Sequence, residues 1–233
     1  MPTVKDQPGW KELVESWKSR QVELRRRMII APLDPLPRFV AGVDAAFSRD
    51  KETVFAAAVI YDRIEQRTLE IAHAVAPARY PYIPGFLSFR EGDAILAALA
   101  KLKQPFGVIC FDGQGYAHPR RCGLASHMSI TLGLPGVGVA KSRLLGTFRE
   151  PDAAAGAFTR LMDGNEQVGI VLRTKDNTRP LFVSIGHRVD LDSARKLVLA
   201  CRTKYRVPEP TRQADIEVGK LKARYAAAPS NPR

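Results

Sequence analysis

Three apolar runs in close succession, FVAGVDAAF (39–47), VFAAAVIYD (54–62) and LEIAHAVA (69–76), constrain the fold of this chain more than any other feature. Each has the length of a strand, and the polar connections between them are short enough for antiparallel hairpins. The sequence therefore predicts a three-stranded unit near its start. Within the first strand, among apolar neighbours, stands a single carboxylate, Asp44.

Ahead of this unit, Trp10, Leu13, Val14, Trp17 and Leu24 recur at near-helical spacing between charges, which predicts an amphipathic helix over about residues 8–28, ended by APLDPLPR. After the Pro-rich YPYIPG, the segment FLSFREGDAILAALAKL places Phe89, Ile95, Leu96 and Leu99 on one helix face. FGVICFDG and GVGVA are short apolar runs bounded by glycine and proline, read as buried strands with a helix or loop between them. QVGIVLRT and PLFVSIG predict another hairpin, then DLDSARKLVLACRTKY and EPTRQADIEVGKLKARYAA two helices; residues from about 227 to 233 are expected to be disordered. This order describes an α/β mixed sheet flanked by helices and resembles the ribonuclease H-like fold.

The length, 233 residues, suits one domain spanning 1–233, and 45% hydrophobic with 26% charged residues is the composition of a folded chain. Lys and Arg number 36 against 24 Asp and Glu, a formal charge of +12, so nucleic acid is the partner such a field suits; charge kept for solubility is the other reading that composition allows. Three cysteines without CxxC spacing argue against a disulfide framework and a zinc ribbon. The N-terminus has no apolar core of signal-peptide type and no run reaches the length of a membrane span, so a cytoplasmic protein with no membrane partner, and a monomer, is expected.

A carboxylate held in an apolar strand needs a cation beside it, because an unpaired buried charge costs several kcal/mol or more, on the order expected for ions desolvated in protein. Asp112 repeats the pattern at the end of VICFD. Two such groups suggest a shared cation, although a private salt bridge, or for Asp112 ordinary turn chemistry, is the competing reading. Glu91 stands three residues after Ser88 and fits a capping box, yet a helix after the three-stranded unit could carry it across the Asp-bearing strands. Oxygen-only ligands suit Mg²⁺, with Mn²⁺ as a substitute, and such ions promote phosphodiester hydrolysis. His118, Cys122 and His127 offer a zinc alternative without a fourth ligand.

Four separated blocks, RYPYIPGFLSFRE, FDGQGYAHPRRCGLASH, GVAKSRL and PEPTRQAD, closely resemble the endonuclease V family of deoxyinosine-directed repair nucleases, from about Phe39 to Asp215. The resemblance implies a Mg²⁺-dependent enzyme that cuts the second phosphodiester 3′ of a deaminated adenine in DNA, leaving 3′-hydroxyl and 5′-phosphate. It implies Asp44, Glu91 and Asp112 as metal ligands, Asp215 at a further polar ligand position, and Lys141 as an active-site cation; His118, read from its place just beyond GQG, suits a phosphate of the flanking strand and assistance at the metal. GLPGVGVAKS is not a Walker loop, since Ala140 stands where that motif needs glycine before the lysine.

An enzyme that inspects one base has to take it out of the stack. Pro81, Tyr82, Ile83 and Pro84 form a stiff aromatic tip of the kind that wedges between bases, and in the family this segment is the strand-separating wedge; read alone, it is a loop before a helix. Gly113, Gln114 and Gly115 would let backbone groups close around the extruded purine, with Leu87 and Leu144 matching apolar pocket positions in the family. Arg120 and Arg121 are placed to meet phosphates of the flanking strand. Inosine-containing RNA as substrate, a non-cleaving nucleic-acid-binding module, and a junction or hybrid cutter on the same fold are the alternatives.

Overall fold

The computed structural model describes residues 9–227, so the end of the expected disordered tail, from 228 on, lies outside the described residues, as does residue 8 of the expected first helix. The elements run α1 (Trp10–Arg26), β1 (Phe39–Phe47), β2 (Thr53–Asp62), β3 (Arg67–Pro77), α2 (Leu87–Leu99), β4 (Val108–Phe111), α3 (Leu124–Leu132), β5 (Gly136–Ala140), β6 (Phe158–Asp163), β7 (Glu166–Leu172), β8 (Leu181–His187), α4 (Leu191–Ala200) and α5 (Glu209–Ala227). One eight-stranded sheet has the order β3-β2-β1-β4-β5-β8-β7-β6. The β1–β2 and β2–β3 pairs are antiparallel, as the short connections require. β4 lies parallel to β1 and β5 parallel to β4, each reached through a helical crossover.

Alternation along the strands sorts the helices onto two faces. Ala41, Val43, Ile109 and Phe111 pack against Ala94 and Ile95 of α2 and Leu124 and Met128 of α3. The opposite face carries Val40, Val108, Cys110 and Val137 against Leu197 and Val198 of α4, with α5 covering β1 and β2 beside it. Since side chains two apart share a face, Asp44 belongs with Val40 and Gly42, and Asp112 with Val108 and Cys110.

α5 can approach β1 closely only because residue 42 is glycine. A Cβ there would lie 2.1 Å from the Pro210 carbonyl oxygen in the first turn of α5. Backbone on both sides cannot yield as a flexible side chain would. Gly42→Ala is therefore expected to destabilise the protein by about 3 kcal/mol in denaturant titration; an unchanged midpoint would show that this seam is soft.

The strand β6 and the β6–β7 hairpin are not foreseen by the apolar pattern. Phe158 and Arg160 are exposed on an edge strand that buries only Leu161 fully. Its apolar residues, Phe158, Leu161 and Met162, do not fall at period two, so the strand lacks the alternation that would mark it off from a loop.

Candidate active site

The register of β1 and β4 builds the site. Val43 pairs with Phe111 in the parallel ladder, so the next residues along, Asp44 and Asp112, stand side by side on one face. The Asp112 amide donates to the Val43 carbonyl at 3.3 Å, and the Asp44 carboxylate accepts from the Ala45 amide at 2.8 Å. α5, docked over Gly42, brings Asp215 to the same place. One carboxylate oxygen from each of Asp44, Asp112 and Asp215 lies within 4.8 Å of the others. Lys141, just past β5, sets its Nζ 2.6 Å from Asp112 Oδ2 and 3.7 Å from Asp215 Oδ1.

Negative charge is crowded here beyond what one lysine neutralises. Burial, then the charge of Asp112, pushes the Asp44 carboxyl up to about 8. Asp112 is raised by burial too, with the hydrogen bond from Lys141 opposing. Burial works against the Lys141 ammonium, but its hydrogen bond to Asp112 and the charges of Asp112, Asp215 and Asp44 together raise its pKa. Glu91 is buried on α2 and pushed up to about 8 by burial, then by Asp44. It stands on a helix packed on the other face of the sheet and is not part of the three-carboxylate group. Nor does Glu91 belong to a capping box: Phe86 is the N-cap, and Ser88 lies inside the helix with its hydroxyl 2.8 Å from His127 Nδ1.

Beside the carboxylates opens a cavity of about 340 Å³. Asp112, Lys141, Gly113, Gln114, Leu144, Leu87 and Tyr82 are among the residues that line it. Tyr82 is 56% exposed at the tip of the 81–84 segment. Gln114 anchors its amide on the Ser142 carbonyl at 2.9 Å. A volume of this size falls in the range of small-ligand sites, and one purine base is a small ligand by that standard.

A family model for Endonuclease V matches residues 22–216. The chain is 45% identical to the Endonuclease V of Streptomyces avermitilis over 217 residues, 92% of this chain and 95% of that protein. It belongs to the Endonuclease V family. A crystal structure of the Streptomyces avermitilis protein superposes with a TM-score of 0.87 at 43% identity, covering 91% of this chain and 94% of that one. The Endonuclease V of Ciona intestinalis, in complex with a 24mer DNA containing an inosine followed by a ribo-adenosine, matches with a TM-score of 0.80 at 27% identity, covering 92% and 99%. The fold is ribonuclease H-like and the protein is a nuclease.

Against this Endonuclease V framework, several residues singled out in the sequence have structural tasks. Gly115 does not line the cavity: a Cβ on it would meet the Ile185 carbonyl oxygen at 2.1 Å, and its amide donates to Ser184 Oγ at 2.9 Å, so glycine here serves contact with β8. His118 has no nitrogen left for a metal. Its Nδ1 accepts from the Arg120 amide at 3.2 Å and its Nε2 donates to the Gly85 carbonyl at 3.0 Å. Burial, then Arg120, lowers its pKa to about 4, so the ring is neutral. His118, Cys122 and His127 do not assemble as a zinc set; among the described residues the Asp44, Asp112 and Asp215 group is the one that comes together.

Arg121 does not face a phosphate either. Its guanidinium, itself buried, meets Glu166 at 2.7 and 2.9 Å, Asp163 at 2.8 Å and the His118 carbonyl at 3.0 Å, and the two carboxylates remain partly exposed. Arg120 lies over the Phe86 ring, 4.3 Å from its centroid, and donates to the Gly85 carbonyl at 2.9 Å. Arg121→Leu is expected to lower stability by about 2 kcal/mol, ~4–8 °C in melting temperature, by leaving Glu166 and Asp163 without their partner. The salt dependence of DNA binding should stay as it is. A slope reduced by about one would put Arg121 on a phosphate after all.

No helix among the described residues is long and apolar enough to cross a membrane.

Proposed function

We propose that this protein recognises deoxyinosine in DNA and hydrolyses the second phosphodiester 3′ of it with Mg²⁺, or Mn²⁺ in its place, leaving 3′-hydroxyl and 5′-phosphate. The observation that carries the reading is the convergence of Asp44, Asp112 and Asp215 around Lys141, beside a base-sized cavity overhung by exposed Tyr82. The donors are all hard carboxylate oxygens, which suits Mg²⁺ better than a thiolate- or imidazole-binding metal. Asp44 and Asp112 also hold their protons more tightly than ordinary aspartates, because burial disfavours their charge and, at Asp44, the charge of Asp112 adds to it. Asp44, Asp112 and Asp215 would hold the ion, with Glu91, on which the charges of Asp44 and Asp112 act, as the further ligand that the family resemblance implies. Bound there, it supplies Lewis acidity for attack on the phosphodiester.

The chain's own groups do the rest. Tyr82, with Pro81, Ile83 and Pro84 behind it, enters the gap left by the extruded base. Gly113, Gln114, Leu87 and Leu144 enclose that base, and Lys141 steadies charge on the phosphate as it builds. The ribo-adenosine after inosine in the DNA bound by the Ciona relative supports inosine-containing RNA as the second reading.

The test is a set of end-labelled duplexes with hypoxanthine or adenine at one position and deoxyribose or ribose at the next, incubated with protein and Mg²⁺. A nick at a fixed offset, one nucleotide beyond hypoxanthine and missing with adenine, is the expected product. Cutting independent of the base would sink the proposal, and cutting confined to the ribose strand would favour the second reading.

A further inference from the structure

The buried stripe of α1 contains one polar residue. Trp17, Gln21 and Leu24 face inward, and Gln21 is 1% exposed in the middle of them. Its amide nitrogen donates to the Gly85 carbonyl at 3.0 Å and the Cys122 carbonyl at 2.9 Å, while its oxygen accepts from Arg120 Nε at 2.5 Å. Both amide hydrogens and the oxygen are thus committed, each to a different point of the chain.

Those points surround the root of the wedge. Gly85 follows Pro84 with φ at +82°, where the chain reverses into α2, and its carbonyl receives donors from Gln21, His118 and Arg120 together. Trp17, one turn earlier on α1, packs on Tyr80 at 4.7 Å and on Phe86 at 5.7 Å, the residues that bracket the 81–85 segment. Gln21 also lines the cavity, as Gln114 does. An apolar residue would fill the seam between α1 and α3 without any buried polar group to satisfy. A glutamine bonded to three segments ties their positions to one another.

We infer that Gln21 is a positioning residue for the wedge, acting through Gly85 to set where Tyr82 stands over the base cavity, and so governing capture of the lesion strand rather than bond cleavage. This rests on the inosine-directed reading. Gln21→Met keeps length without polarity. Gln21→Glu keeps the acceptor for Arg120 and turns the donor into an acceptor facing two carbonyls.

Single-turnover cleavage of a hypoxanthine duplex, followed against concentration of the full-length protein, separates capture from chemistry. Each variant is expected to raise the half-saturating protein concentration about 10-fold, the effect of losing a buried hydrogen bond at the wedge, with the plateau rate within about 2-fold of the parent. Made in a Tyr82→Ala background, the same changes should add less than about 2-fold, because the wedge they position is already gone. An undiminished effect in that background, a loss confined to the plateau, or melting of both variants below the assay temperature would each overturn the inference and leave Gln21 a structural residue. A parent protein that does not cut at hypoxanthine would instead refute the reading of the site.

Discussion

Asp44→Asn is expected to reduce strand cleavage by at least about 10³-fold while raising the melting temperature of the protein in buffer without divalent ions. The two effects have one cause. Asp44 sits in an apolar strand beside Asp112, and both surroundings disfavour its charge. Its carboxyl titrates near 8 in the folded state against 3.8 for an ordinary aspartate, so between those values the folded chain holds a proton that the unfolded chain has released. Stability from this group is therefore full below about pH 4 and is lost as pH rises through about 8. Asparagine resembles the protonated form and can still accept the Ala45 amide hydrogen bond. The variant should melt several degrees higher at pH 8, about 1 kcal/mol corresponding to ~2–4 °C in a chain of this size, and its advantage should shrink toward pH 5. Mg²⁺ should raise the melting temperature of the parent more than that of the variant. Calorimetry at the two pH values checks it; a variant less stable than the parent at pH 8 would remove the electrostatic account of the site.

Lys141→Met should lower cleavage by roughly 10²- to 10³-fold and move the acid limb of the pH–rate profile upward by about one unit. Lys141 is the cation nearest Asp112, at 2.6 Å, and its charge holds down the pKa of Asp112 and, more weakly, that of Asp44. Without it the carboxylates keep their protons to higher pH. A divalent ion has to displace those protons, so the shift should narrow as Mg²⁺ concentration is raised. Rates measured from pH 5.5 to 9 at two Mg²⁺ concentrations decide the matter. An acid limb that stays in place would mean that Lys141 contacts only the phosphate and does not tune the carboxylates.

How far such a site can be read in advance depends on how local its causes are. Asp44 and Asp112 stand out in sequence because one is a charge within a hydrophobic strand and the other a charge directly at the end of one, and that anomaly is visible within a few residues. Asp215 has no such mark. It is a half-exposed residue of a polar helix, and its place beside Asp112 follows from the contact of Pro210 with Gly42, far away in the chain. Glu91 illustrates the converse, since a pattern that fits a cap locally is overruled when the helix begins at Leu87 and buries the side chain. His118 and Arg121 look free among glycines. Their partners are Gly85, in the wedge loop, and Asp163 and Glu166, at the turn of a hairpin whose first strand has no period-two apolar pattern.

The sequence by itself determined the strands and helices whose faces are mostly apolar, the helix α5 to its ends, and the two aspartates that break the apolar pattern, because burial and periodicity act within a few residues. Tertiary structure decided that Asp215, to which the family resemblance pointed, groups with them and Glu91 does not, why Gly115 is glycine, and that Gln21 is tied to Gly85 at the root of the wedge. Those outcomes depend on backbone contacts and hydrogen bonds between segments about 60 to 170 residues apart, and no local pattern of hydrophobicity or charge encodes such a meeting.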